Sequence, residues 1–210
     1  MPKARRTAKK AEQPDRIITA ALTLAAERGW RRVTLLDIAR AAKLSLAELY
    51  RSYRSRGAIL AAFVRHVDAA VLAQGEAEGD SARDRVFDML MRRFEVLRPH
   101  KAAVEAILRD AGADPLGALC GGPRLLRSMA WMLEAAGLAS HGLRGLVRAK
   151  ALALVYLSAM RVWLNDDSAD MSRTMAALDK RLNRLETLAG LCPTLGRRRE
   201  RGAASEAPAT

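Results

Sequence analysis

Apolar residues recur along this chain at steps of three and four, the spacing that places them on one side of a helix; no run alternates at step two as a half-buried strand would. The first periodic segment runs from Asp15 to about Arg28, with Ile17, Ile18, Ala21, Leu22, Leu24 and Ala25 on one face and Gly29 at its stop. Thr34-Leu35-Leu36-Asp37 and Ser45-Leu46-Ala47-Glu48 then repeat one helix-start signature, in which a hydroxyl and an acid three residues on satisfy each other's orphan amides. The first opens a helix of about eight residues ending near Ala42. The second opens another three residues later, so the chain must turn a corner, as in a helix-turn-helix.

A third start near Ser55 and Arg56 leads into "GAILAAFVRHVDAAVLAQ". After "GEAEGD", Ser81 caps a helix through Val86, Phe87, Leu90, Met91 and Phe94. "RPH" at 98–100 and "GADPLGALCGGP" at 112–123 flank a helix with Val104, Ile107 and Leu108; Pro123 opens the next, closed by Gly137. Two long helices finish the pattern, at about Leu146–Leu164 and Asp167–Leu188. The expectation is an all-α fold of about nine helices. It divides into a basic arm at 1–13, disordered; a three-helix unit with helix-turn-helix at 14–75; a helical ligand-binding and dimerisation domain at 76–192; and a disordered tail at 193–210.

Composition adds two facts. Aromatics make up only 4% of a chain that is half hydrophobic, so Leu, Ala, Met and Val must fill the core. The net charge of +13 is concentrated: residues 1–10 hold five basic groups and no acid, and residues 11–70 hold ten basic and six acidic, which places +9 in the first third. Such localisation points to a polyanion partner there. The longest apolar run, Ala151–Met160, is too short to span a bilayer and is closed by Arg161, and the start lacks a signal-peptide pattern. A soluble cytoplasmic protein with reduced Cys120 and Cys192 is expected.

Two of the three tyrosines, Tyr50 and Tyr53, stand among Arg51, Arg54 and Arg56. If Ile38, Ala39, Leu44 and Leu49 fill the inside of the corner, then Leu46, Ala47, Tyr50, Arg51 and Arg54 face outward. That face is either a solvated basic surface or a recognition helix, whose N-terminal residues and outer side reach bases and phosphates in a major groove. The tandem helix starts and the concentrated charge favour the second. Lys3, Arg5, Arg6, Lys9 and Lys10 would add phosphate or minor-groove contacts.

The stretch "GWRRVTLLDIARAAKLSLAELYRSYRSRGAIL" resembles the DNA-binding segment of TetR-family transcriptional regulators, over about residues 14–65. The resemblance implies that Thr34 contacts phosphate, that Ser45 to Tyr53 form the recognition helix, and that Tyr50 and Arg56 grip the DNA backbone. Lys43 stands where the family has its turn glycine, so a non-glycine must take a positive φ or the turn must differ. Ser52 replaces the family's usual His, and Gly57 an acid.

The resemblance also implies a homodimer on double-stranded operator DNA, most often a repressor, with a small apolar effector in the later helices. Met129, Trp131, Met132, Tyr156, Met160 and Trp163 are candidate pocket residues, with plain core as the alternative. Met171, Met175, Leu178, Leu182, Leu185 and Leu188 form a stripe suited to a dimer seam or, again, to the core. "VWLNDDSADMSRTMAALDKRLNRLE" resembles as well the C-terminal part of the lipid-binding accessory protein of ubiquinone biosynthesis, which implies an isoprenoid or acyl ligand and a rival function without DNA binding. Within that stretch Asp167 or Ser168 is expected to cap the last helix, with Asp170 in its first turn, in preference to a metal site. His66, His100 and His141 are isolated, and no phosphate loop is present, so neither catalysis, cofactor nor metal is expected.

Overall fold

A computed structural model describes residues 2–112 and 115–191, with side chains over 13–111 and 121–187. Among the described residues it contains helices and no strand. In chain order these are α1 (Pro2–Arg28), a 3-10 turn (Trp30–Arg32), α2 (Leu35–Ala41), α3 (Leu46–Ser52), α4 (Arg56–Leu72) and α5 (Ala82–Leu97). A second 3-10 turn (Arg98–His100), α6 (Lys101–Gly112), α7 (Pro115–Ala135), α8 (Gly142–Trp163) and α9 (Ser172–Leu191) follow.

Three helix starts are set by local chemistry. Thr34, Ser45 and Ser81 each accept a hydrogen bond from the amide three residues on, and Asp37, Glu48 and Asp84 reciprocate to the capping residue's own amide. The corner between α2 and α3 closes with Lys43 at φ 55°. Leu44 N–H donates to Ala39 C=O and Lys43 N–H to Arg40 C=O, the 6→1 and 5→2 pair that ends a helix through a left-handed residue. Gly137 ends α7 by the same pair of bonds at φ 76°, without the steric cost that a lysine bears.

Helix boundaries differ from the pattern in four places. α1 starts at Pro2 rather than Asp15, because the Lys/Arg/Ala/Gln/Glu segment before Pro14 consists of good helix formers and the proline is accommodated inside the helix. α7 starts at Pro115, with Pro123 within it, rather than at Pro123. α8 extends back to Gly142, and α9 begins only at Ser172, after a loop in which Met171 takes φ 54°. The side chains of Cys120, Leu188 and the basic arm, and residues 192–210, lie outside what is described.

The core is continuous from one end of the molecule to the other. Ile17 and Ala21 of α1, Ile38 and Ala39 of α2, Leu49 of α3, and Ile59 and Phe63 of α4 fill its N-terminal part. α4 then carries the packing into the body, where it meets α5 and α7, while α8 lies between α7 and α9. Met89, Leu90 and Phe94 of α5 and Leu152 and Trp163 of α8 are buried there.

Candidate nucleic-acid interface

Leu49 is fully buried, and that single anchor orients α3. Ser45, Leu46, Ala47, Tyr50, Arg51, Ser52 and Arg54 are then exposed together on the opposite side. Tyr50 is 59% exposed, a high value for an aromatic that packing could have hidden. The Arg54 guanidinium lies 6.0 Å from the Tyr50 ring centroid, so cation and ring share one surface. Lys43 is exposed at the corner, and among the described residues none of Lys43, Arg51 and Arg54 forms a salt bridge. Three exposed cations outside any salt bridge, a phenol and two exposed helix starts offer groups suited to a phosphate backbone.

Thr34 and Ser45 are also exposed, each with its hydroxyl engaged in its capping box. Hydrogen bonds from the Thr34 hydroxyl and amide hold the Asp37 carboxyl below its ordinary pKa. Tyr53 is half-buried, and its phenol is pushed up by desolvation. Arg56 is turned to the protein: its Nη1 donates to the carbonyls of Trp30 and Val33, both at 2.8 Å, and its guanidinium lies over the Trp30 ring. It ties the 3-10 turn to the start of α4, a structural duty that sequence spacing alone could not separate from a phosphate contact. Asp110 at the end of α6 adds a tie from the body by accepting from the Arg31 amide at 2.6 Å. Neither tie was legible, since the partners lie 23 to 79 residues apart.

Of the pocket candidates, Met129, Met132, Tyr156, Met160 and Trp163 are brought together in the core, while Trp131 projects outward at 55% exposure. Phe94 stacks on Tyr156 at 5.4 Å and leans against Trp163. Two hollows are present among the described residues, and only the second touches a pocket candidate, Trp163. One, of about 720 Å³, is an open groove between α1 and the α2–α3 corner, lined by Asp15, Arg16, Thr19, Glu27 and Lys43. The other, of about 200 Å³, lies beside Lys101, Trp163 and Asp166.

The α9 stripe packs as core within the protomer. Met171, Leu178 and Leu182 are buried within the protomer, and Met175 and Leu185 are partly buried against the same core. Within the protomer α9 turns that stripe onto α5 and α8. α8 carries the exposed apolar residues: Leu143, Leu146, Val147, Leu154 and Leu157 fall on one side at helical spacing, with the exposed Lys150 and Arg161 among them.

The acidic loop before α9 is a cap, and the capping residue is Asp166 rather than Asp167 or Ser168. Its carboxylate accepts from the Thr174 amide and hydroxyl at 2.8 and 2.6 Å, and from the Ser168 amide and hydroxyl. Burial alone would raise this carboxyl, but those bonds hold it well below the usual carboxylate range. Asp170 accepts from the Ser172 amide at the first turn of α9. Among the described residues no group of His, Cys, Asp and Glu could hold a metal ion, and no helix is long and apolar enough to cross a membrane.

Comparison with known proteins agrees with this layout. Residues 17–63 match the model of the bacterial regulatory proteins of the tetR family, and residues 123–189 match the COQ9 model. No curated protein matches the sequence. Among solved structures, a TetR transcriptional regulator from Nitrosomonas europaea superposes with a TM-score of 0.67 at 23% identity, over 83% of this chain and 98% of that one. A TetR regulator from Rhodococcus sp. RHA1 gives 0.62 at 22% identity, over 84% and 97%. A tetR-family regulator from Streptomyces coelicolor gives 0.55 at 16%, over 88% of each. The chain thus carries the helix-turn-helix of the tetR-family bacterial regulators, followed by a COQ9 segment, on the all-α fold of the TetR regulators.

Proposed function

We propose that this protein is a cytoplasmic, DNA-binding transcriptional regulator of the TetR type, a homodimeric repressor whose operator affinity is modulated by a small apolar effector. The observation that carries the reading is the exposed face of α3, where Leu46, Ala47, Tyr50, Arg51 and Arg54 stand clear of the core while Leu49 anchors the helix. On this reading α3 enters the major groove, Tyr50, Arg51, Arg54 and Lys43 meet phosphates and base edges, and Thr34 and Ser45 present helix starts to the backbone. Residues 14–75 form the DNA-binding unit and 76–192 the effector and dimer unit; the protein works by binding and not by catalysis. The exposed face of α8 is the seam between two copies.

A seven-residue recognition helix offers few base contacts, so two half-sites are needed for useful affinity. Fluorescence anisotropy over a salt series, on DNA from the gene's own upstream region and on shuffled DNA, tests the proposal. Tighter binding to the upstream DNA at every salt supports it; equal and steeply salt-dependent binding to both means that charge alone is read. In that case the COQ9 match favours the second reading, a lipid or isoprenoid carrier for ubiquinone biosynthesis that binds no DNA, and organic extraction of the purified protein tests it.

A further inference from the structure

Among the described residues the body holds one buried cation that neither the DNA-facing surface nor the α8 seam uses. Arg93 of α5 is only 3% exposed. Its Nε donates to the Tyr156 hydroxyl at 3.1 Å, its Nη1 is ion-paired with Asp68 of α4, and its guanidinium lies 5.3 Å from the Tyr156 ring centroid. Ser128 of α7 donates to the same Asp68 oxygen at 2.6 Å. Four helices therefore converge on one charge in a core otherwise filled by Met89, Met129, Met132, Phe94 and Trp163.

A buried ion pair seldom stabilises a fold more than apolar residues of the same volume, so its presence calls for another reason. The donor inventory supplies one. A guanidinium presents five N–H groups in a rigid fork suited to both oxygens of a carboxylate. Asp68 meets that fork through one oxygen, which it shares with Ser128, and Arg93 Nη2 makes no hydrogen bond among the described residues. The two partners also differ in exposure: the Asp68 side chain is 14% exposed and can turn toward water, whereas that of Arg93 is only 4% exposed.

We propose that Arg93 anchors the head group of an anionic amphiphile, a carboxylate on an apolar tail, and that Asp68 holds its place in the free protein. This deepens the effector reading above and rests on it. The incoming carboxylate takes the fork bidentately, Asp68 rotates outward, and the net buried charge is unchanged. The tail lies among the thioethers of Met129 and Met132, whose unbranched side chains repack at little cost. Because Asp68 lies on α4, whose first residue is the Arg56 clamp, the exchange releases a restraint on the helix that carries the DNA-binding unit. A neutral amphiphile of the same length cannot make the exchange.

Calorimetric titration of the full-length protein with decanoate and with decanol tests the assignment, using wild type, Asp68→Asn, and the double variant Arg93→Met/Asp68→Leu, which removes both charges so that neither is left unpaired. Expected are binding of decanoate to wild type about tenfold or more tighter than decanol, tighter decanoate binding by Asp68→Asn, and no preference in the double variant. Equal binding of the two ligands to wild type overturns the proposal, as does a decanoate preference retained by a double variant with wild-type helicity. Should the double variant lose its helicity, Asp68→Asn decides, and an unchanged or weakened decanoate affinity there overturns it. No DNA enters these titrations, so failure to bind an operator would be a separate result.

Discussion

Replacing Leu143 and Leu154 of α8 with glutamate separates the proposed seam from the core. Leu143 is 78% exposed and Leu154 70% exposed, so neither contributes much to the folded protomer. Burying a whole leucine is worth roughly 2 kcal/mol, so four of them, each about three-quarters exposed, represent about 6 kcal/mol across two protomers. Association realises only part of such a sum, because ordering and desolvation oppose it; if half survives, about 3 kcal/mol is lost, close to a hundredfold in Kd. Two new carboxylates per protomer inside the seam push further the same way. Sedimentation velocity across a micromolar concentration series should show monomers, with a melting temperature within a few degrees of wild type. Leu178→Glu should behave in the opposite manner, since a charge at a fully buried position unfolds the protomer before it affects association. A double α8 variant that stays dimeric, beside a folded and monomeric Leu178→Glu, would return the seam to α9 and refute the burial argument.

Tyr50→Ala with Arg51→Ala should weaken operator binding by about tenfold or more in anisotropy while shifting stability by less than about 1 kcal/mol, because both side chains are exposed. Lys43→Gly should raise stability by about 0.5–1 kcal/mol, the left-handed penalty of about 1–2 kcal/mol less the greater freedom of glycine in the unfolded chain, while lowering the salt dependence of DNA binding by about one phosphate contact. Asp166→Ala should lower the melting temperature at pH 7. The Asp166 carboxyl is depressed in the folded chain, so its contribution is present above the ordinary carboxylate pKa and is lost as pH falls below it. The deficit of the variant should therefore shrink below about pH 4 in a melting series, and a deficit independent of pH would mean that packing, and not the hydrogen-bonded charge, is what Asp166 supplies.

The features legible in the sequence are those decided within a few residues. Thr34 with Asp37 and Ser45 with Glu48 are complete structures in four positions, and both form as read. Lys43 in a glycine's place left either a positive φ or a different turn, and it takes the positive φ. Periodicity finds the apolar side of a helix but not its neighbour, which is why the α9 stripe read as seam or core and why the leucines on both sides of α8 did not reveal which side stays open. The local pattern points to Asp167 or Ser168 as the cap before α9, but which side chain of the loop faces Thr174 is decided by the fold, and it is Asp166. Asp68 and Arg93 carry no local mark, since 25 residues separate them and either alone reads as an ordinary surface charge on an amphipathic helix.

The bond from the Arg31 amide to Asp110 bears on how this protein can be cut and recombined. It joins the turn ahead of the helix-turn-helix to the far end of α6, and α6 packs along α1. A fragment ending after α4 would expose the α6-facing side of α1 and leave that amide without its acceptor. The DNA-reading unit is therefore no interchangeable cassette. A chimera that grafts it onto another regulator's body needs α6 transplanted with it, and a library that varies α6 will alter DNA affinity without touching a single residue that faces the groove.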